Sequence, residues 1–124
     1  MQIKMPPKKQ QELQVTVRNQ EQFYDLLNGK KLTVVDVHQS WCGPCSLLSS
    51  SFRSMAMKIE EWDSRLQFLI VDIANVPDLA HHQTSCKPKF LFFLGQKLIG
   101  EVSGANVPKL QQMITRHIPS MEAE

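Results

Sequence analysis

The stretch VVDVHQSWCGPC at residues 34–45 decides the fold of this 124-residue chain. The apolar, β-branched run at residues 32–37 predicts a central strand that is covered on both faces. Two cysteines follow within a few residues, where the chain leaves this strand and begins an apolar stripe at helical spacing. A buried strand that leads directly into a helix indicates an α/β domain, with both cysteines at the turn between the two elements.

The spacing of Cys42 and Cys45 predicts a reactive dithiol. Unpaired N–H groups and the helix dipole favour a thiolate at a helix N-terminus, so we expect the pKa of Cys42 to be lowered. Cys45 follows about one turn later, within reach of the Cys42 sulfur. Pro44 suits the first helical turn, because it has no N–H to leave unbonded there. The pattern predicts thiol–disulfide exchange, with Cys42 as nucleophile and Cys45 as the more buried resolving thiol.

Asp36 is a carboxylate inside the apolar strand, upstream of both cysteines. Burial is expected to raise its pKa, because a lone charge is costly in a core. The functional interpretation is a buried proton acceptor that serves Cys45 through water. The alternative is a structural aspartate that hydrogen-bonds backbone near the end of the strand. The cysteine motif directly downstream favours the functional interpretation.

The other elements alternate between strands and helices. Strands are predicted near residues 13–17, 66–73, 89–94 and 97–103, and helices near 19–28, 76–83 and 106–118. The last two strands are separated only by Gly95 and Gln96, which predicts an antiparallel hairpin. The order β-α-β-α-β-α-β-β-α predicts an α/β fold: a mixed sheet, parallel except for the C-terminal hairpin, with helices on both faces.

The helix after the cysteines is expected to be long and unbroken. Five apolar residues recur at steps of four, three, four and three, as on the buried face of an amphipathic helix. They are Leu48, Phe52, Met55, Ile59 and Trp62. This spacing predicts one helix from Cys42 to about Trp62.

Composition places the chain among ordinary soluble globular domains. Hydrophobic residues make up 42% and charged residues 21%, and a net charge of +2 gives no reason to expect nucleic acid or an anionic membrane as the main partner. Apolar runs are far shorter than the ~20 residues of a membrane span, and the first residues lack the apolar segment of a secretory signal. Three cysteines leave one unpaired, which favours a reducing, cytoplasmic compartment.

One domain is expected at residues 12–118. Residues 1–11 hold three lysines and two prolines with little to bury, and are predicted to form a flexible basic arm. Contact of this arm with an acidic partner is the alternative. Residues 119–124 are predicted to form a short tail.

VVDVHQSWCGPC resembles the active-site segment of the thioredoxin family, including the spacing from Asp36 to the cysteines. The resemblance covers roughly residues 13–118 and continues at CKPKF, residues 86–90. It implies a cis proline at Pro88 facing the active site, and a redox-active Cys42–Cys45 disulfide with no other cofactor. A lysine at position 87 would favour acidic partners. The substrate surface that the family implies consists of Trp41, Gly43, Pro44, Lys87, Pro88 and Gly104.

A narrower resemblance concerns cellular context. The strings LTVVDVHQSWCGPC, CKPKFLFF and GANVPKL are similar to thioredoxin-like domains fused to nucleoside diphosphate kinase domains in sperm and ciliary proteins, and to thioredoxin-like light chains of axonemal outer-arm dynein. These 124 residues contain no kinase domain, so the light chains are the nearer match. That match implies a cilium or flagellum axoneme and a dynein heavy or intermediate chain as partner. The alternative is a free general disulfide reductase recharged by a thioredoxin reductase.

Each of two side chains near the motif allows two interpretations. Cys86 is either an inert thiol or a regulatory thiol, open to glutathionylation or an intermolecular disulfide. His38 stands where many thioredoxins have an aromatic residue below the active site. It either fills that surface or tunes the pKa of Cys42.

A structural zinc site is a remote alternative, and no metal is expected. Zinc is held by cysteine and histidine ligands at characteristic spacings. The available ligands match no familiar spacing: Cys42, Cys45, His81, His82 and Cys86.

Overall fold

A computed structural model describes residues 13–38, 48–82 and 88–120 of the chain. The strands in these ranges are β1 (Gln14–Val17), β2 (Leu32–His38), β3 (Leu66–Asp72), β4 (Lys89–Leu94) and β5 (Lys97–Ser103). The helices are α1 (Gln20–Leu27), α2 (Ser49–Met57), α3 (Trp62–Arg65) and α4 (Val107–His117), with a 3₁₀ helix at Pro77–His82. None of these helices is long and apolar enough to cross a membrane.

The five described strands form a single sheet in the order β1-β3-β2-β4-β5. β3 runs parallel to both β1 and β2, whereas β4 is antiparallel to β2 and β5 is antiparallel to β4. The predicted mixed sheet is confirmed. β2 lies in the middle and is buried from Leu32 to Val37, as its continuous apolar run predicts.

Two hydrophobic cores lie on opposite faces of the sheet. Alternation along β2 divides its side chains between them, because successive residues of a strand point to opposite faces. The first core packs α2 and α4 against the sheet and includes Val34, Phe52, Phe68, Phe90, Leu110 and Ile114. The second packs α1 and the 3₁₀ helix against the other face and includes Val35, Val37, Phe23, Leu69, Leu79 and Leu91. Helices therefore cover both faces, as predicted.

α1 begins and is anchored through polar side chains. The Asn19 side chain accepts a hydrogen bond from the Gln22 N–H at 2.8 Å, which is an N-cap. The Tyr24 hydroxyl donates to an Asp78 carboxylate oxygen at 2.5 Å, and this bond raises the pKa of Tyr24. These contacts hold the 3₁₀ helix, which carries Asp78, against α1.

The prediction of one unbroken helix to Trp62 is wrong. α2 ends at Met57, and Glu61 adopts a left-handed backbone conformation with φ of 52° before the short α3 begins. Ile59, within this break, and Trp62, at the start of α3, nevertheless pack against the first core. The apolar spacing therefore continues through the break, because burial and not helical geometry sets it. The predicted start at Cys42 lies outside the described residues.

The predicted hairpin between β4 and β5 is confirmed, and it contains an irregularity. Gly95 takes φ of 62°, and a Cβ built on it would lie 3.0 Å from the Gly29 carbonyl oxygen, so both conformation and space require glycine. Phe93 pairs with Leu98, but Phe92 pairs with Gly100, which leaves one extra residue in β5. This bulge turns Val102 into the first core beside Phe90.

Candidate functional site

Asp36 lies near the carboxyl end of β2 and is buried, with 2% of its surface exposed. It pairs with Ile70 on β3 and with Phe90 on β4. Strand alternation puts its carboxylate on the same face as Val34, which is the face that α2 covers. The predicted catalytic carboxylate is thus inside the protein, beneath the helix that follows the cysteine motif.

The carboxyl end of β2 adjoins two other predicted site residues. Val37 pairs with Lys89, and Lys89 pairs with Ser103 across the hairpin. Pro88 and Gly104 come one residue beyond these pairs, and the Gly104 N–H donates to the Pro88 carbonyl at 2.6 Å. The structure therefore brings Pro88 and Gly104 to the end of the sheet at which the chain leaves β2 toward Cys42.

The other predicted site residues lie outside the described residues. The bond that joins position 87 to Pro88 also includes such a residue, so the cis prediction for Pro88 stays a prediction. Residues 1–11 and most of the predicted tail are outside the described ranges too. The site residues concerned are Trp41, Cys42, Gly43, Pro44, Cys45, Cys86 and Lys87.

His38 is the last residue of β2 and is half-buried. It pairs with Asp72 at the end of β3, and among the described residues its buried Nδ1 has no hydrogen-bond partner. Burial lowers the pKa of His38, and the nearby carboxylate of Asp72 opposes this shift. Because burial is the larger effect, the imidazole is favoured in its neutral form four positions before Cys42.

A charged cluster that the sequence analysis did not predict lies beside the start of β4, on the face of the sheet opposite to Asp36. Lys89 Nζ is 3.5 Å from a Glu101 carboxylate oxygen, and His82 Nδ1 is 3.8 Å from the other oxygen. Burial lowers the pKa of His82, with His81 and Lys89 contributing, whereas Glu101 raises it. These effects outweigh the carboxylate, so His82 favours its neutral form and Lys89 forms the ion pair with Glu101.

This cluster could have been predicted only from the register between β4 and β5, which decides the face on which Glu101 lies. Without a bulge, the two-residue turn would place Glu101 opposite Phe90 and toward the first core. The bulge places Glu101 opposite Leu91 and turns it to the face of Lys89 and the 3₁₀ helix. Alternation of Val102 with its polar neighbours was the sequence feature that favours this register.

Among the described residues, no group of three or more potential metal ligands is present. The rings of His81 and His82 lie 3.9 Å apart between centroids, at the end of the 3₁₀ helix. The three cysteines of the zinc alternative are outside the described ranges.

Sequence comparisons give a consistent family. The family model described as Thioredoxin matches residues 14–116. Thioredoxin domain-containing protein 6 of Xenopus laevis is 40% identical over 111 residues, which cover 90% of this chain and 17% of that protein. The human protein of the same name is 40% identical over 117 residues, covering 94% of this chain and 34% of that relative. The chain thus spans about a sixth to a third of these relatives.

Solved structures agree with this family. The thioredoxin of Fasciola hepatica superimposes with a TM-score of 0.65 at 30% identity, covering 83% of this chain and 98% of that one. The thioredoxin of Malassezia sympodialis gives 0.65 at 30% identity, covering 85% and 90%. The five-stranded mixed sheet with helices on both faces is the thioredoxin fold, and the chain belongs to the thioredoxin family.

Proposed function

We propose that this protein carries out thiol–disulfide exchange through Cys42 and Cys45. The observation that carries the proposal is the buried Asp36, beneath the helix that follows the motif and near Pro88 and Gly104. A carboxylate costs free energy in such a core, and a proton acceptor for a buried thiol gives it a chemical role. Family membership supports exchange of this kind.

The reaction transfers two electrons to a client disulfide. The Cys42 thiolate attacks one client sulfur, forms a mixed disulfide and releases the other client sulfur as a thiolate. Asp36 accepts the proton of Cys45, whose sulfur then attacks Cys42 and releases the second client thiolate. The client is reduced to a dithiol, and the protein keeps a Cys42–Cys45 disulfide. A thioredoxin reductase would supply the two electrons that restore the dithiol.

The docking surface for clients would surround the reacting sulfur. Trp41, Gly43 and Pro44 flank Cys42 in sequence, and Pro88 with Gly104 borders the same end of the sheet. Lys87 would favour acidic client segments. No cofactor is required beyond the cysteine pair.

The proposed setting is an axonemal outer-arm dynein, in which this protein serves as a thioredoxin-like light chain with a redox-sensing or local reductase role. The motif resemblance supports this setting, with a dynein heavy or intermediate chain as the stable partner in the cytoplasm of a cilium or flagellum. In such an assembly the domain at residues 12–118 would bind the dynein chain through non-covalent contacts and leave the dithiol free to react.

Partner trapping tests both parts of the proposal. Tagged Cys45→Ser holds a mixed disulfide that it cannot resolve, and Cys42→Ser, Cys45→Ser is the matched control without a nucleophile. We expect ciliated cells to yield clients that reductant releases from the single variant only. We also expect a dynein chain that both variants retain, in equal amounts and with reductant present.

Two outcomes would contradict the proposal. If Cys42→Ser reduces insulin as fast as the unchanged protein, Cys42 is not the nucleophile. If no dynein chain is retained while many clients are trapped, the protein is the free general reductase of the alternative interpretation.

A further inference from the structure

The end of the sheet remote from the cysteine motif contains a cleft of about 530 Å³. It lies where the chain enters β2 and β3 and where α1 ends. We call it the basic cleft and define it by six of its lining residues: Asp25, Lys30, Lys31, Arg65, Gln67 and Pro119. None of these residues is used by the proposed exchange reaction.

The basic cleft has an excess of positive charge. Lys30, Lys31 and Arg65 are its cations, and Asp25 is the only carboxylate side chain among its described lining residues. Within the described ranges, neither lysine ammonium forms an ion pair or hydrogen bond. An uncompensated excess of two charges in a concave site attracts anionic groups.

Part of the cleft is held in a fixed shape. Arg65 Nε donates to the Pro119 carbonyl and its Nη1 donates to the Glu60 carbonyl, both at 2.9 Å. Gln67 Nε2 donates to the Leu26 carbonyl at 2.7 Å and to Thr33 Oγ1 at 2.8 Å. These bonds fix the floor of the cleft, so that binding would not have to order it.

An apolar groove continues from the basic cleft and shares Lys31 and Gln67 with it. This groove, of about 360 Å³, is lined by the apolar residues Leu13, Val15, Trp62, Leu66 and Phe68, and by Asp63. Val15 is exposed, on the edge strand β1. An occupant that spans both sites therefore meets positive charge at one end and an apolar, weakly acidic wall at the other.

The chemistry of the walls selects a peptide over a bare polyanion. The cleft includes the last residues of α1, where the helix dipole is negative, and the carbonyls of Asp25 and Leu26 already accept N–H groups from Asn28 and Gln67. A bare polyanion would meet repulsion from this end of the helix and from Asp25. An extended peptide can place separate carboxylates on the lysines and an apolar side chain in the adjoining groove.

We propose that the basic cleft and the adjoining apolar groove bind an extended acidic segment of a partner protein that also carries an apolar residue. β2 has seven residues and rises about 3.3 Å per residue, so roughly 20 Å separates this site from the sheet end that leads to the cysteines. A partner held here would leave the sheet end that leads to the cysteines uncovered for clients. The inference goes beyond exchange chemistry, and its failure would leave that chemistry untouched.

The test is an NMR titration of the full chain with a peptide of four consecutive glutamates followed by two leucines. We expect amide shifts confined to the two sites, at residues 13–15, 25–31, 62–68 and 120, and none at Val37 or Gly104. Lys30→Glu, Lys31→Glu should weaken binding about tenfold or more, because two attractions become repulsions. Lys58→Glu, Lys109→Glu changes the net charge equally on other surfaces and should weaken binding less than twofold.

Five results would overturn the inference. Shifts spread over the surface, equal losses in both double variants, or equal binding of a peptide with glutamines for glutamates would each show non-specific attraction. Inhibition of insulin reduction by the bound peptide would place it at the cysteine end instead. Binding detectable only after residues 121–124 are removed would make the chain's own glutamates, Glu122 and Glu124, the occupant.

Discussion

Among single residues, Asp36 is the one whose burial bears most directly on the proposed chemistry. Its carboxylate is placed beneath α2, and the proposed role is to accept the proton of Cys45. We expect Asp36→Asn to slow release of the mixed disulfide more than its formation, because only release requires Cys45 to lose its proton. Stopped-flow kinetics with a chromogenic aromatic disulfide separates the two steps.

Asp63→Asn is the matched control for this prediction. Asp63 lies on α3, exposed and at the opposite end of the sheet, so its loss should leave both steps unchanged. Equal slowing of formation and release by Asp36→Asn would argue for a purely structural aspartate.

His38 predicts a pH dependence of stability. Burial lowers its pKa in the folded state below the 6.5 of the unfolded chain. The unfolded state therefore takes up a proton first as the pH falls, and stability present above pH 6.5 is lost progressively below it. We expect His38→Phe to lose less stability than the unchanged protein between pH 7.5 and 5.5, in urea unfolding at each pH.

His82 shares this direction of shift, so His38→Phe should reduce the loss without abolishing it. His38→Phe, His82→Gln should reduce it further. A loss equal to that of the unchanged protein in both variants would show that other groups dominate acid destabilisation.

For single residues, the sequence predicted the surroundings of some side chains well and those of others not at all. An aspartate in a β-branched run is recognisable as buried from its neighbours in the sequence, and Asp36 is buried. The pairing of His38 with Asp72, by contrast, depends on the register between β2 and β3, which no local pattern specifies.

Among the elements, β5 packs beside α4 at a glycine that leaves no room for a side chain. A Cβ added at Gly100 would lie 2.7 Å from Met113 Cε, and Gly100 stands beside the bulge in β5. We expect Gly100→Ala to lower the free energy of unfolding by about 1 kcal/mol, because the end of a methionine side chain can move but loses contacts. Chemical denaturation measures the change.

Met113→Ala supplies the control in a double-mutant cycle. With Met113 shortened, Gly100→Ala should cost nothing or become stabilising, since alanine is favoured over glycine in a strand. An unchanged cost in that background would mean that backbone strain, and not Met113, opposes the added methyl group.

The elements show where periodicity succeeds as a predictor and where it fails. Continuous apolar runs identified β2, β3 and β4 close to their observed bounds. The same reasoning joined α2 to α3, because Ile59 and Trp62 stay on the buried side through the turn at Glu61. The bulge in β5 was also not predicted, because the turn at Gly95 favours an uninterrupted ladder and the alternation of Val102 with its polar neighbours was the signal that was missed.

For the whole molecule, two cores share one sheet, which predicts a single cooperative transition. Phe52 belongs to the first core and Phe23 to the second, and each is about 1% exposed. We expect Phe52→Ala and Phe23→Ala each to cost about 3–5 kcal/mol, with circular dichroism and tryptophan fluorescence reporting the same midpoint.

Met57→Ala is the control, because Met57 is 59% exposed on the same helix as Phe52 and should cost within ~0.5 kcal/mol. If either phenylalanine variant separates the two midpoints, the layers unfold independently and the shared sheet does not couple them.

Much of the architecture was predictable because two of its connections had a short-range signal. The two-residue turn after β4 indicated an antiparallel pair, and the helix between β2 and β3 indicated a parallel one. The position of β1 at the edge beside β3 had no such signal, because it depends on which face of the sheet α1 covers.

The described ends of the chain have a practical consequence. Leu13 lines the apolar groove, and Ser120 lines the basic cleft that adjoins it, so both ends emerge at the same pole. A bead, a dye or a second folded module joined directly at Leu13 or Ser120 would sit on that side. The opposite pole would then face outward, as it must if a tethered domain is to meet large substrates in solution.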